Sequence, residues 1–187
     1  MATTLVPGEP RVAAGVLIST NPATGREVGR FDVATGEQVG EAVARSREAA
    51  RWWQGLGFGG RRGRLLRWRA DIARRLEEIA DLVRAEGGKP RAEAIVEVAA
   101  AVDHIDWAAN NAWRVLRPRR VRSRLLLLEH EAHLEYQPVG TVGLLGPWNY
   151  PVLTPIGSLA YALAAGNACV FKPSEYTPAV GQWLVDS

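Results

Sequence analysis

The sequence predicts an α/β fold in which amino-terminal helices lead into the first βαβ unit of a parallel sheet. Two observations carry this. Between Val39 and Trp113 apolar residues recur at helical spacing, and from Thr141 onward two short apolar runs enclose a single helical pattern. A third supports it: the pairs Thr154-Pro155 and Thr177-Pro178 each look like a helix start, a hydroxyl N-cap followed by proline at the first helical position.

A chain of 187 residues with 47% hydrophobic residues is long enough for one ordinary domain with a substantial core, which excludes a disordered chain. No window of about 18 apolar residues could span a bilayer, and the first residues lack a basic-then-apolar secretion signal. A soluble cytoplasmic protein without a membrane partner is expected. Cys169 is the single cysteine, so neither an internal disulfide nor a structural metal site is expected.

The formal charge of +3 reflects 23 basic and 20 acidic residues, and among the basic ones only Lys89 and Lys172 are lysine. Arg114 to Arg124 (RVLRPRRVRSR) places six arginines in eleven residues. No aromatic residues interleave there to stack bases, so the stretch reads as a solvated connector and no nucleic-acid partner is expected.

Residues 1–30, punctuated by Pro, Gly, Thr and Asn, read as an extended arm lying on another part of the molecule, with a turn at NPATG, 21–25. Thr35-Gly-Glu-Gln38 fits a capping box, and Val39, Ala42, Val43, Ser46, Ala50 and Trp53 continue a helix until Gly55. A second helical stripe runs through Leu65, Leu66, Ile72, Leu76, Ile79 and Val83, stopped by Gly87-Gly88 before Pro90. A third takes Ile95, Val102, Ile105, Ala109 and Trp113. These faces are core surface and carry no assigned chemistry.

After the arginine-rich connector, Leu125–Leu128 and Ala132–Gln137 read as two extended segments, a hairpin or a pair of edge strands. In the second, Leu134 and Tyr136 alternate with His133, Glu135 and Gln137. His130 and His133 have glutamate neighbours but no third ligand at useful spacing, so they read as solvent-facing and no metal is assigned. Such edges need cover, often from another subunit.

Thr141–Leu145 reads as a strand, Gly146–Leu153 as a loop, and Thr154 to Gly166 as a helix through Leu159, Ala162 and Leu163. Ala168–Phe171 is apolar without alternation, as in a strand buried on both faces. Strand, helix and strand within roughly thirty residues make a βαβ unit with parallel strands and a right-handed crossover, the opening of a Rossmann-like sheet. Lys172–Tyr176 is then a second loop, and Thr177-Pro178 opens a helix bearing Val180, Trp183, Leu184 and Val185. Both loops leave the carboxyl ends of neighbouring parallel strands, the edge at which open α/β sheets bind ligands. That brings Trp148, Asn149, Lys172, Ser174 and Glu175 to one rim, where Glu175 suits ribose hydroxyls and Lys172 supplies a compact positive charge. No GxGxxG occurs from Thr141 onward, so an ordinary phosphate grip is not supported by this stretch.

The runs VGTVGLLGPWNYP and GSLAYALAAGNACVFKPSEYTP resemble the aldehyde dehydrogenase superfamily, which carries PWN and, about twenty residues later, KPSE. The helices, the NPATG arm and LEYQPVG resemble that family's amino-terminal portion as well. The resemblance implies a partial aldehyde dehydrogenase fold that oxidises an aldehyde to a carboxylic acid with NAD or NADP. It implies that Asn149 is the side-chain donor to the oxyanion formed when a thiolate adds to the aldehyde, a sensible use of a neutral amide on a fixed loop. It implies also that Lys172 and Glu175 hold the adenosine ribose, with Ser174 beside them, and that Leu145, Gly146, Pro147, Trp148 and Asn149 line the cofactor cleft. A glutamate there repels a 2′-phosphate, which favours NAD, with NADP possible.

The same resemblance puts the nucleophilic cysteine, the glutamate base and the pyrophosphate-gripping loop downstream of KPSE. Cys169 lies in an apolar strand and reads as a small core residue. The expectation is therefore an amino-terminal fragment, inactive by itself, of an enzyme that works through a thiohemiacetal and a thioester and is a homo-oligomer when full length. Its expected organisation is an arm and helices of the cofactor-binding domain (1–117), edge or oligomerisation strands (118–139) and a truncated start of the NAD-binding sheet (140–187), with the catalytic domain absent. The alternative is a catalytically inactive nucleotide-binding or subunit-interaction module.

Overall fold

A computed structural model describes residues 11–121 and 130–187. The arm expected over residues 1–30 is described from residue 11, and there residues 11–32 form an antiparallel sheet of β1 (Arg11–Ala13), β2 (Val16–Thr20) and β3 (Glu27–Asp32) in that order. The turn at NPATG is present, because Asn21 Oδ1 accepts from the N–H groups of Ala23 at 2.9 Å and Thr24 at 3.0 Å, and Gly25 takes the left-handed conformation (φ 69°) that closes it.

Helix α1 (Gly36–Gly55) opens on the capping box: Thr35 Oγ1 accepts from Gln38 N, and Gln38 Oε1 accepts from Thr35 N. Val39, which the stripe would bury, is exposed. The second stripe is two helices, α2 (Gly57–Arg74) and α3 (Leu76–Gly87), broken at Arg75. There the Arg75 guanidinium bonds Asp71 and Glu78 and lies 4.4 Å over the Trp183 ring, so the break faces the carboxyl-terminal helix. Gly88 stops α3 in the left-handed conformation (φ 70°), as its position suggested. Helix α4 (Arg91–Leu116) packs on α2, α3 and the later helix Leu153–Ala164. Its Ile105 and Ala109 are buried, while Trp113 is exposed and meets the edge of Phe58.

β4 (Arg119–Val121) lies inside the arginine-rich stretch that reads as connector, and pairs antiparallel with β5 (Ala132–Leu134). Backbone pairing only needs N–H and C=O groups, and the arginine side chains stay in solvent. The other expected segment, Leu125–Leu128, lies outside the described residues. Leu134 and Tyr136 are both exposed, so the alternation marks no covered face here.

The βαβ unit is present. β6 (Thr141–Leu145) and β7 (Ala168–Lys172) are parallel, in register from Thr141 opposite Ala168 to Leu145 opposite Lys172, and α5 (Leu153–Ala164) joins them. Ala168 is buried but Cys169, Val170 and Phe171 are half-buried, short of a strand covered on both faces. Helix α6 (Pro178–Asp186) follows, and its Val185 is exposed. The main core is the seam between α2, α3, α4, α5 and α6, centred on Ile72, Ile79, Val98, Ile105, Ile156 and Val180. No helix among the described residues is long and apolar enough to cross a membrane.

Thr177 stands at the N-cap of α6 with Pro178 first, as the sequence predicts, but neither threonine hydroxyl makes a cap hydrogen bond. Helix α5 begins at Leu153, one residue ahead of Thr154, and the hydroxyl of Thr177 is buried without a hydrogen-bond partner among the described residues. Buried glutamates from the neighbouring helices take the role instead. Glu97 Oε1 accepts from Val152 N at 2.8 Å and Leu153 N at 3.2 Å, and Glu86 accepts from Ala179 N and Val180 N, each at 2.9 Å. A full negative charge satisfies the exposed N–H groups and the positive helix end better than a hydroxyl can.

Burial raises the Glu86 carboxyl above the ordinary 4.5, against hydrogen bonds from Ser19, Ala179 and Val180 that lower it. An acid whose folded value lies above its unfolded one holds its proton longer in the folded state, so stability falls as pH rises from the unfolded value through the folded one. Urea midpoints of the native chain should therefore decline with rising pH from about pH 4 upward, relative to Glu86→Gln. Parallel pH profiles for the two proteins would contradict this origin.

Candidate functional site

The register of the parallel pair decides where the two loops emerge. Leu145 lies opposite Lys172, and Gly146 N donates to Lys172 O at 2.9 Å, so the loops 146–152 and 173–177 leave the sheet side by side. The Trp148 and Tyr176 rings, one from each loop, have centroids 6.3 Å apart. Both are exposed, as is Leu145 at 80%, so the rim presents apolar surface to solvent.

At this rim Lys172 Nζ lies 3.0 Å from Glu175 Oε2, with both side chains more than half exposed. The carboxyl of Glu175 is held below its ordinary range by its own backbone N–H and then by Lys172, so it is an ionised acceptor at neutral pH. Ser174 is buried: its Oγ accepts from Tyr176 N at 3.2 Å and its carbonyl from Thr177 N at 3.1 Å, which shapes the loop from within. Gly146 and Pro147 are half-buried. A Cβ on Gly146 would stand 2.9 Å from Phe171 Cε2 and 3.1 Å from Pro155 Cγ, so only glycine lets the strand turn this close to β7.

Asn149 is exposed on the first loop, and its Oδ1 accepts from Tyr150 N at 3.1 Å. With that oxygen engaged, the Nδ2 end of the amide is the end available to donate. Cys169 sits on β7 with its thiol pushed up to about 11 by burial, so at neutral pH it is protonated and a poor nucleophile.

Three residues of this region escaped the motifs. Glu86 and Glu97 cap the two helices, and Lys89 Nζ bonds Glu97 Oε2 and donates to Asn149 O at 2.7 Å. The signal was in the stripes: Glu86 follows Val83 by three, and Glu97 follows Ala94 by three and precedes Ala101 by four. A carboxylate at helical spacing on an apolar face has to find a donor. Because both helix ends already hold a carboxylate, neither is free to bind a phosphate. The rim thus offers ring faces, an ionised carboxylate and an ammonium side by side.

A helical layer against a parallel βαβ unit, with a polar and aromatic rim at the strand ends, defines an α/β protein. The family model of the Aldehyde dehydrogenase family matches residues 13–186, and the chain belongs to that family. It is 35% identical over 173 residues to an N-succinylglutamate 5-semialdehyde dehydrogenase of Novosphingobium aromaticivorans, covering 92% of this chain and 36% of that protein. An aldehyde dehydrogenase structure from Brucella melitensis biovar abortus superposes with a TM-score of 0.88 at 30% identity, over 97% of this chain and 38% of the other. The NADP complex of a glyceraldehyde-3-phosphate dehydrogenase from Bacillus halodurans gives 0.85 at 28% identity, over 97% and 39%. The chain thus spans little more than a third of the length of these relatives. Members of the family use NAD or NADP.

The second loop depends on a glycine of α6. A methyl group at Gly181 would land on the ring of Pro173, the proline of KPSE. Gly181→Ala should destabilise the chain by about 1–3 kcal/mol in urea melts and displace the Lys172–Glu175 loop. An unchanged midpoint would show that Pro173 moves without cost.

Proposed function

We propose that this chain forms the oxyanion-donor loop and the adenosine side of the cofactor cleft in an NAD-dependent aldehyde dehydrogenase, which oxidises an aldehyde to a carboxylic acid. What supports the reading is one juxtaposition: the loop of Asn149 and the loop of Lys172 and Glu175 leave paired positions of adjacent parallel strands. Glu175 accepts from ribose hydroxyls, Lys172 donates beside it, and Trp148 and Tyr176 offer ring faces. Leu145, Gly146 and Pro147 form the floor. When bound, the dinucleotide supplies the hydride acceptor.

Asn149 donates from Nδ2 to the oxygen that gains charge when a thiolate adds to the aldehyde. A donor fixed before the reaction stabilises that charge without reorganising. The thiolate and the base that activates water for the later hydrolysis come from the remaining portion of the family's fold. Glu175 at the ribose favours NAD over a 2′-phosphorylated dinucleotide by charge.

Calorimetric titration of NAD into the chain tests the cleft. Saturable binding is expected, weaker for NADP, and reduced about tenfold by Glu175→Ala through loss of charge-assisted hydrogen bonds. Absence of saturable binding by either dinucleotide would sink the cleft assignment. In the assembled dehydrogenase, Asn149→Ala should lower kcat by about 10²–10³-fold with little change in KM, read as NADH formed from aldehyde. A loss confined to KM would remove Asn149 from the oxyanion.

A further inference from the structure

The loop of Asn149 is held from outside the βαβ unit. Lys89 lies between Gly88, which ends α3 in the left-handed conformation, and Pro90, which precedes α4, so its backbone is set by two helix termini. Its ammonium bonds Glu97 Oε2, donates to Asn149 O at 2.7 Å, and lies 4.0 Å over the Tyr150 ring. Glu97, whose side chain is 0% exposed, accepts the N–H groups of Val152 and Leu153 with its other oxygen. The two charged side chains therefore hold the loop at Asn149, Tyr150, Val152 and Leu153, four points within five residues.

We propose that Lys89 is a positioning residue for the Asn149 loop, acting through its charge as one half of a buried ionic clamp with Glu97. The peptide carbonyl of Asn149 is tied to the ammonium, while its side-chain oxygen is tied to Tyr150 N. Backbone and amide are then both fixed, and Nδ2 is aimed by what holds them. A compact ammonium with three donors suits a carboxylate, a carbonyl and a ring face arranged around one point, which a planar guanidinium does not. That explains lysine here in a chain with 23 basic residues of which only two are lysine.

This inference rests on the reading of Asn149 above, and the two fail separately. Amide exchange reports the clamp whatever the loop binds; NADH formation reports the reading whatever holds the loop. The test is native-state hydrogen exchange of the 187-residue chain at the amides of Tyr150, Val152, Leu153 and Thr154, with the central amides of α5 as internal control. Lys89→Cys removes the ammonium; alkylation with 2-bromoethylamine restores it at almost the original length, and alkylation with 1-bromopropane restores bulk alone. Burial pushes the Cys169 thiol up to about 11, which disfavours its alkylation, and peptide mass spectrometry verifies that the adduct sits at position 89 alone.

Expected is exchange at the four amides about tenfold faster or more in Lys89→Cys and its propyl adduct, against little change in α5, and return to within about threefold of native in the aminoethyl adduct. Glu97→Gln keeps an acceptor oxygen and lacks the charge, and should also loosen the loop. It serves as the second variant if Lys89→Cys does not fold. Recovery by the propyl adduct as complete as by the aminoethyl adduct would reduce Lys89 to packing. Unchanged exchange in Lys89→Cys, or in Glu97→Gln where that variant stands in, would overturn the clamp.

Discussion

The amino ends of α5 and α6 lie beside the rim formed by the two loops, and each exposes N–H groups that need an acceptor. Everything at the rim follows from how that need is met. In this chain the acceptors are Glu97 and Glu86, rooted in α4 and α3 and buried with the core. The βαβ unit is thereby tied to the helical layer by directional bonds as well as by apolar packing. A shift of α3 or α4 would move a capped helix end, and with it the loop that precedes it.

The two carboxylates solve the cost of burial differently. Glu97 has a cation, Lys89, and three hydrogen bonds in all. Glu86 has no ion pair among the described residues; it takes the Ser19 hydroxyl and two helix N–H groups, and desolvation still raises its carboxyl. The partial positive charge of a helix end stands in for the missing cation, about half a unit charge shared over a turn. Ser19 belongs to β2, so the same contact fastens the amino-terminal sheet to α3 and α6. Residues 11–32 are in this way a sheet that lies against the helices.

Much of this was legible because it is local. The capping box at Thr35, the stop at Gly88, and both parallel strands depend on residues a few positions apart, where propensity and period decide. What misled were rules that hold only if nothing distant competes. Thr154 and Thr177 have the hydroxyl and the proline of a helix start, yet a charged acceptor from another helix reaches those N–H groups first. The Arg75 break was hidden because Leu76 and Ile79 keep the apolar phase across it, while the Trp183 ring that Arg75 stacks on lies far along the chain. PWN and KPSE identified the rim, but Lys89 and Glu97 could not be assigned to it, since sequence separation conceals that they meet the same loop.

The occupied helix ends also constrain what the rim can recognise. In many α/β nucleotide sites a helix amino terminus grips the phosphates, with glycines letting the backbone approach. Here that role is taken internally, and the glycines do other work: Gly146 turns the strand beneath Phe171, and Gly181 admits Pro173. An anionic ligand group at these ends would meet a carboxylate already in place. The groups left facing solvent include the carboxylate of Glu175, the ammonium of Lys172, the Asn149 amide, and the rings of Trp148 and Tyr176. That set favours hydroxyls and flat rings over phosphate, which is the chemistry of a nucleoside's sugar and base. On the function proposed above, the phosphate grip would come from another part of the family's fold, because both helix ends at this rim are already capped.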